Sequence, residues 1–503
     1  MAKIIDTSEL DSLSLSPDEN HWVYNGLDNC LTLEIFNELS ATIDETARRT
    51  YEFSLALQAP VLEMNMRGVL INQNRRRDVI RDFERKQGIL EAQLSYMLGE
   101  VFDLRGFNWA SPLQVKNLLY EVMQLPVQKK RNANGIYAPS SDREALEALS
   151  FYYIAEPIIN HILGLRDLGK SLGFLRTPLD SDGRLRTSFN IAGTVTGRFS
   201  SSADDFDVGT NLQNITESLR SVFVADPGYK FANLDLEQGD SRNVGAICWE
   251  LFHESHGETF AGAYLDACES GDLHTIVTKM VQPQLPWDGV NDKAVAETDF
   301  YRGSSYRQAS KKLGHGSNYL GQPGHMAKQS KFPVANVKEF QAAYFGAFPC
   351  IPAWHKNVFW KLSNLGYIET LFGDRRVFFG RPEEAATRRE AVAHAPQSMT
   401  GKEINIGILN LWRANRVQLL IQVHDSILFQ FPEEQEDEII PWALEALKAP
   451  LGLSLGREFV VPTEAKVGWT WGNQSAANPD GLIKWKGSDP RHRTETRFKP
   501  SIL

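Results

Sequence analysis

Residues 419–431 read LLIQVHDSILFQF, two apolar runs with His424 and Asp425 set between them. A carboxylate in so apolar a neighbourhood costs several kcal/mol unless something pairs with it. Whatever fold this chain adopts must bring a partner to Asp425.

A candidate partner lies 190 residues earlier. The segment YKFANLDLEQ, 229–238, alternates like a strand and ends in acids, Asp235 among them. Strand-like texture falls in two blocks, about 185–240 and 366–468, with a helical block between them. The first block contains GRLRTSFNIAGTVTGRFSS, rich in Gly, Thr and Ser. In the second the sequence predicts a hairpin over 366–379, a long helix over 389–415, strands over 417–431, a helix over 435–448 and a last strand near 459–468. Ahead of both blocks, apolar spacing predicts helices over 29–64, 75–98, 108–123 and 140–175. One sheet assembled from both blocks would set Asp235 beside Asp425. Two carboxylates a few ångströms apart in a low-dielectric site repel, and a divalent cation removes that cost. Acids that share Mg²⁺ ions about 4 Å apart are a platform for in-line phosphoryl transfer. The plain alternative is that each acid caps a turn.

A third segment favours the first reading. YRQASKKLGHGSNYLG, 306–321, places Arg307, Lys311, His315 and Tyr319 four residues apart. On a helix they form one stripe, suited to a triphosphate, a sugar and a base. Gly314 and Gly316 flank the stripe where a solvated helix would carry better helix formers, and glycine permits close approach of a backbone or a ligand.

The chain has 503 residues, enough for several domains or one large composite body, and 42% hydrophobic residues, enough for real cores. No apolar run reaches the roughly 18 residues of a membrane span, and the polar, acidic start is unlike a signal peptide. Cys30, Cys248, Cys268 and Cys350 form no C-x-x-C pair, which argues against structural zinc and for a reducing cytoplasm. The net charge of −10 speaks against nucleic acid, but binding depends on local patches. Basic residues cluster at 128–131 (QKKR), at Arg166, Lys170, Arg176, Arg184, Arg186 and Arg198, and at 307–312. Solvated surface charge is the plain alternative there.

The order of these motifs resembles family A DNA polymerases, the DNA polymerase I group, and in particular a phage-type member. LQAPVLEMNMRGVLIN (57–72) and FNWASPLQVKNLLYEVMQLP (107–126) resemble thumb segments. TVTGRFSS (194–201) and NLQNI (211–215) match two family motifs, and DLEQGDSR (235–242) resembles motif A. GDLH (271–274), RQASKKLGHGSNY (307–319), QVHDS (422–426) and VPTEAKVGWTW (461–471) follow in family order. The resemblance implies a mixed α/β, right-hand polymerase fold: an antiparallel palm sheet, helical fingers and a helical thumb. It implies an exonuclease-like remnant over 1–50, thumb over 51–184, palm over 185–250 and 366–472, fingers over 251–365 and a tail over 473–503.

It also implies roles. Asp235 and Asp425 would bind two Mg²⁺, with the Leu236 carbonyl helping. Arg307 and Lys311 would hold the incoming triphosphate, and Lys311 could protonate the leaving pyrophosphate. His274 would contact phosphate, Gln238 the nucleotide, and Tyr319 would stack near the templating base. Arg198, Asn211, Gln213, Arg389, Gln397, Gln422 and His424 would follow primer-template DNA. dNTPs and primer-template DNA are the implied partners, with a separate 3′–5′ exonuclease or other replisome proteins beside them. The implied setting is the cytoplasm, that of a bacterial host if the chain is phage-encoded.

The chain departs from the family at several places. Gly239 and Asp240 stand where motif A has Ile and Glu, His315 stands for the fingers aromatic, and Ser426 replaces a glutamate after Asp425. The family glutamate lies over the aromatic ring and blocks a ribose 2′-hydroxyl. Here Asp240 is expected to hydrogen-bond to His315 and raise its pKa. YNGLDNCLTLEIF resembles the last exonuclease motif, with Tyr24 and Asp28 in place, but only 23 residues precede Tyr24. No intrinsic proofreading is therefore expected. Two other readings stand beside the polymerase: a non-catalytic DNA-binding accessory protein, which predicts damage to the acids or the Arg/Lys pair, and a nuclease, which needs a second acidic cluster.

Overall fold

The structure is a computed structural model that describes residues 15–131, 135–204 and 208–487. Its centre is a five-stranded antiparallel sheet in the order Gln418–Val423, Ser426–Pro432, Tyr229–Leu236, Thr463–Gly468, Ile483–Lys484. The central strand pairs with Ser426–Pro432 from Asp235↔Ser426 to Tyr229↔Pro432. On its other edge it pairs with Thr463–Gly468 from Leu236↔Thr463 to Phe231↔Gly468. The two strand blocks thus form one sheet.

Apolar burial drives the assembly. Phe231, Leu234, Ile427, Phe429 and Phe431 are fully buried, and each such side chain contributes about 1.5–3 kcal/mol. The 30-residue helix Ala385–Ala414 packs against the sheet and ends at Asn415, a left-handed cap. Helix Gly239–His256 starts three residues after the central strand and packs on Glu258–Glu269 and on the long helix.

A second core is purely helical. Leu94, Leu98, Leu119, Leu146, Ile159 and Ile162 meet where Gln73–Phe102 packs on Glu156–Leu175. A small sheet ties this block to the rest: Val69–Ile71 lies between Arg184–Leu185 and Phe223–Val224.

Several expected elements are redrawn. The helix expected over 29–64 is two helices, Pro17–Thr42 and Glu45–Arg67, because Asp44 leaves the helical conformation and accepts the Ala47 N–H as an N-cap. The 108–123 segment is a short helix, Pro112–Asn117, that widens into a π-helical turn at Leu118–Val122. The span 140–175 is broken between Leu149 and Glu156. Lys129–Arg131 belongs to a hairpin with Tyr137–Pro139. Beyond residue 472, Ile483–Lys484 adds the fifth strand. No described helix is long and apolar enough to cross a membrane.

Candidate active site

Asp235 sits near the end of the central strand, and Asp425 occupies the turn between Gln418–Val423 and Ser426–Pro432. The Leu236 N–H donates to the Asp425 carbonyl at 3.0 Å, so the backbone locks the turn to the strand end. His424, just before, has φ 54°, the left-handed region that tight turns use. The strand ladder also sets Ser426 on one side of Asp235 and Glu464 on the other.

Burial raises the pKa of both acids. That of Asp235 is pushed to about 7 by burial and by the Asp425 charge, and burial moves Asp425 in the same direction. Among the described residues no ion pair reaches either carboxylate. Both face a chamber of about 860 Å³ that also takes in Leu236, Gln238, Asp240, His274, Lys311 and His315. On the far side of the acids, a cavity of about 280 Å³ holds His424, Arg220, Glu464 and Lys466.

The stripe lies on helix Tyr306–Asn318, whose N-cap Ser305 accepts the Gln308 N–H at 3.2 Å. Lys311 and His315 face the chamber. Arg307 does not: its guanidinium donates to both Asp272 oxygens, at 2.6 and 3.0 Å. Burial works to raise the Asp272 pKa, but hydrogen bonds from Arg307 and Thr275 bring it down to about 2. His274 is held at about 4 by burial and by Lys311 and Arg307, so its imidazole is neutral at pH 7. Tyr319 follows the last helical turn, its ring edge-on to His315 at 4.9 Å. The flanking glycines admit side chains of the protein itself. A Cβ on Gly316 would lie 2.8 Å from Met326, and one on Gly314 would lie 3.4 Å from Tyr344.

Asp240 does not bond to His315, contrary to expectation. Its carboxylate accepts hydrogen bonds from Arg198 (2.8 Å), Thr400 (2.8 Å) and the Tyr319 hydroxyl (3.2 Å). Burial lowers the His315 pKa, and the opposing pull of Asp240 does not overcome it. A shorter acid on a helix that begins at Gly239 is drawn back toward the long helix, out of the imidazole's reach.

The remaining candidates divide. Gln213 Nε2 donates to Gln422 Oε1 at 2.8 Å, and Gln422 Nε2 donates to the His424 carbonyl at 2.6 Å. Asn211 accepts from Ser201 at 2.9 Å in the same neighbourhood. Gln397 lies one turn before Thr400, whereas Arg389 is exposed about 16 Å from Thr400 along the same helix. The basic run from 166 to 198 is mostly spent internally. Arg176 pairs with Glu84, Arg184 with Asp226, and Arg186 with Asp180 and Asp182. The sequence reading missed Asp272, Thr400, Asn243 and Glu403. The last three are buried polar side chains on apolar helix faces, a signal that periodicity alone does not separate from core.

The acid pair suits Mg²⁺. The described residues contain no cluster of three or more His, Cys, Asp or Glu side chains arranged for a metal. The chain offers two carboxylates with a backbone beside them, not a closed cage, and Mg²⁺ commonly keeps waters or phosphate oxygens in such open sets.

Known proteins share this plan. The pattern described as DNA polymerase family A matches residues 77–473. DNA polymerase I, thermostable, of Thermus thermophilus is 30% identical over 390 residues, 73% of this chain and 42% of that protein. DNA polymerase I of Deinococcus radiodurans is 25% identical over 456 residues, 85% of this chain and 43% of that protein. The chain thus spans under half the length of these relatives. The POL domain of Pol1 from M. smegmatis, in complex with DNA primer-template and dNTP, superposes with a TM-score of 0.66 at 23% identity, over 83% of this chain and 70% of that one. The mixed α/β fold with an antiparallel sheet between helical blocks is the expected polymerase fold. From the match over 77–473, the chain belongs to DNA polymerase family A.

Proposed function

We propose that this chain is a template-directed DNA polymerase that extends a primer 3′-hydroxyl with dNTPs. The observation that carries the reading is one chamber of about 860 Å³ holding the acid pair Asp235 and Asp425 together with Lys311 and His315. Two Mg²⁺ held by Asp235, Asp425 and the Leu236 carbonyl would supply charge neutralisation at the phosphoryl oxygens. Lys311, on the chamber wall, would hold the triphosphate and could give a proton to the leaving pyrophosphate. Arg307, one turn earlier, adds charge at the triphosphate tail, and neutral His274 donates a single hydrogen bond there. Gln238 and His315 line the nucleotide's sugar and base end, where Tyr319 closes the stripe. The Gln213–Gln422–His424 chain and Asn211 would border the primer end, and Arg389 and Gln397 would follow the primer terminus and minor groove.

In this reading the helical block with its own core is the thumb, residues 51–184. The central sheet is the palm, 185–250 and 366–472, and the helices over 251–365 are the fingers. Primer-template DNA and dNTPs, the partners in the M. smegmatis complex, are the proposed partners here. Phage replication in a bacterial cytoplasm, a separate exonuclease and the absence of proofreading by this chain belong to the same proposal. Tyr24 and Asp28 both lie exposed on helix Pro17–Thr42. The test is extension of a labelled primer-template with dNTPs and Mg²⁺, and again with chelator. Metal-dependent, template-matched extension is expected, and binding of DNA with no extension would favour the accessory-protein reading.

A further inference from the structure

Asp240 is the point where two buried layers meet. Above it are Arg198 and Tyr319, and below it is Thr400, fully buried in the long helix. The Thr400 hydroxyl donates to Asp240 Oδ1 at 2.8 Å and accepts from Asn243 Nδ2 at 3.1 Å. Asn243 also donates to Glu403 Oε2 at 3.2 Å. The chain Glu403–Asn243–Thr400–Asp240 therefore runs from the core to the chamber wall.

Thr400 can reach Asp240 only because residue 239 is glycine. A Cβ there would lie 2.9 Å from Thr400 Cγ2 and 3.1 Å from Thr400 Oγ1. Thr400 is packed on both sides and cannot retreat without moving the long helix. Gly239, Asp240 and Thr400 fit as one set: the absent side chain admits the hydroxyl, and the hydroxyl fixes the short acid.

We propose that Thr400 is a positioning residue for Asp240, and through it sets the choice between deoxyribose and ribose in the incoming nucleotide. The proposal rests on the polymerase reading above. Asp240 and His315 both line the chamber, and His315 stands one helical turn past Lys311, where the sugar follows the triphosphate. Held by Thr400, the Asp240 carboxylate keeps Tyr319 and Arg198 in place, with Oδ1 doubly bonded, and holds the chamber wall at a fixed distance from the sugar. Without Thr400, Oδ1 keeps only Arg198, and the carboxylate swings toward that charge and opens the wall.

The test is single-nucleotide incorporation with matched dNTP and rNTP, in the wild type, Thr400→Val, Thr400→Ser, Gly239→Ala, Asp240→Ala and the Thr400→Val/Asp240→Ala double variant. Valine keeps the threonine shape, so folding is checked by melting rather than assumed. Thr400→Val and Gly239→Ala are each expected to lower the deoxy-over-ribo ratio of kcat/KM by about tenfold, with a smaller change in deoxynucleotide kcat. Thr400→Ser keeps the ratio within about twofold of wild type, and the double variant matches Asp240→Ala alone. A wild-type ratio in folded Thr400→Val overturns the proposal. So does an equal loss with both sugars, which marks a structural role only. Should Thr400→Val fail to fold, Gly239→Ala decides by the same ratio. If the wild type incorporates neither sugar, the polymerase reading itself falls, and the proposal with it.

Discussion

Arg307 and Asp272 are joined by two hydrogen bonds, 2.6 and 3.0 Å long, across 35 residues of chain. The pair fixes a guanidinium one helical turn from Lys311 and partly neutralises it. A triphosphate arriving at Lys311 would share or displace Asp272. Replacing Arg307 with Ala is expected to raise the nucleotide KM at least tenfold, about 1.4 kcal/mol. Asp272→Asn keeps the cation but loses its aim, and should raise KM about threefold. Tighter nucleotide binding by Asp272→Asn, measured by steady-state kinetics, would show that the pair competes with the nucleotide instead of presenting Arg307.

Asp235 and Asp425 should be separable from DNA binding. Asp235→Asn and Asp425→Asn each remove a carboxylate that no ion pair reaches among the described residues. Extension rates are expected to fall by about 10³-fold or more in single-turnover assays, while DNA affinity measured by anisotropy changes by less than about fivefold. Near-normal extension by either variant would falsify the assignment of the pair.

Glu403 couples the core to pH. Burial pushes its carboxyl up to about 8, against the smaller opposing effect of the Asn243 hydrogen bond. The folded state therefore holds a proton that the unfolded chain, near 4.5, has released. Stability from this group is greatest below about pH 4.5 and is lost as pH rises toward 8. Glu403→Gln cannot ionise, so its melting temperature should exceed that of the wild type by more at pH 7.5 than at pH 5. A cooperatively melting chain of 503 residues gains roughly 1 °C per kcal/mol. Melting curves across that range check it, and a gap that stays constant or shrinks with pH would mean Glu403 is neutral for another reason.

The salt dependence of DNA binding should trace to few cations. Lys129 is exposed, and Lys116 and Lys170 line a groove of about 600 Å³ beside Trp109 on the helical block. Removing a cation that neutralises a phosphate weakens binding and lowers the salt slope by about 1. Lys129→Ala and Lys170→Ala are expected to do so. Arg186→Ala should instead lower stability and leave the slope unchanged, because its guanidinium is committed to Asp180 and Asp182. Affinity measured from low to moderate salt separates the two, and a reduced slope in Arg186→Ala would contradict the assignment.

The sheet and the identity of its acids were legible from local sequence. Strand texture is carried by alternation and apolar runs within a few residues, so 229–238 and 417–431 read as strands before any fold was known. The isolation of Asp425 among apolar residues already required a partner, and family order pointed to Asp235. The helix carrying Arg307, Lys311 and His315 was legible for the same reason, but only Lys311 and His315 of the stripe face the chamber, Arg307 turning to Asp272 and Tyr319 following the last turn.

Which polar groups those residues spend themselves on was settled by long-range packing. Asp240 turned from His315 to Arg198, Thr400 and Tyr319, and these partners lie 42, 160 and 79 residues away. Arg184 and Arg186 belong to a basic cluster in the sequence, free by spacing for phosphate or solvent, yet carboxylates at 226, 180 and 182 claim them. Gly316 reads in the sequence as permitting close approach of a backbone or a ligand; it lines the chamber, and the group that packs closest on it is the Met326 side chain. A charged or hydrogen-bonding side chain is satisfied by whatever the fold brings within about 3 Å, and that distance is set by packing between elements far apart in the chain.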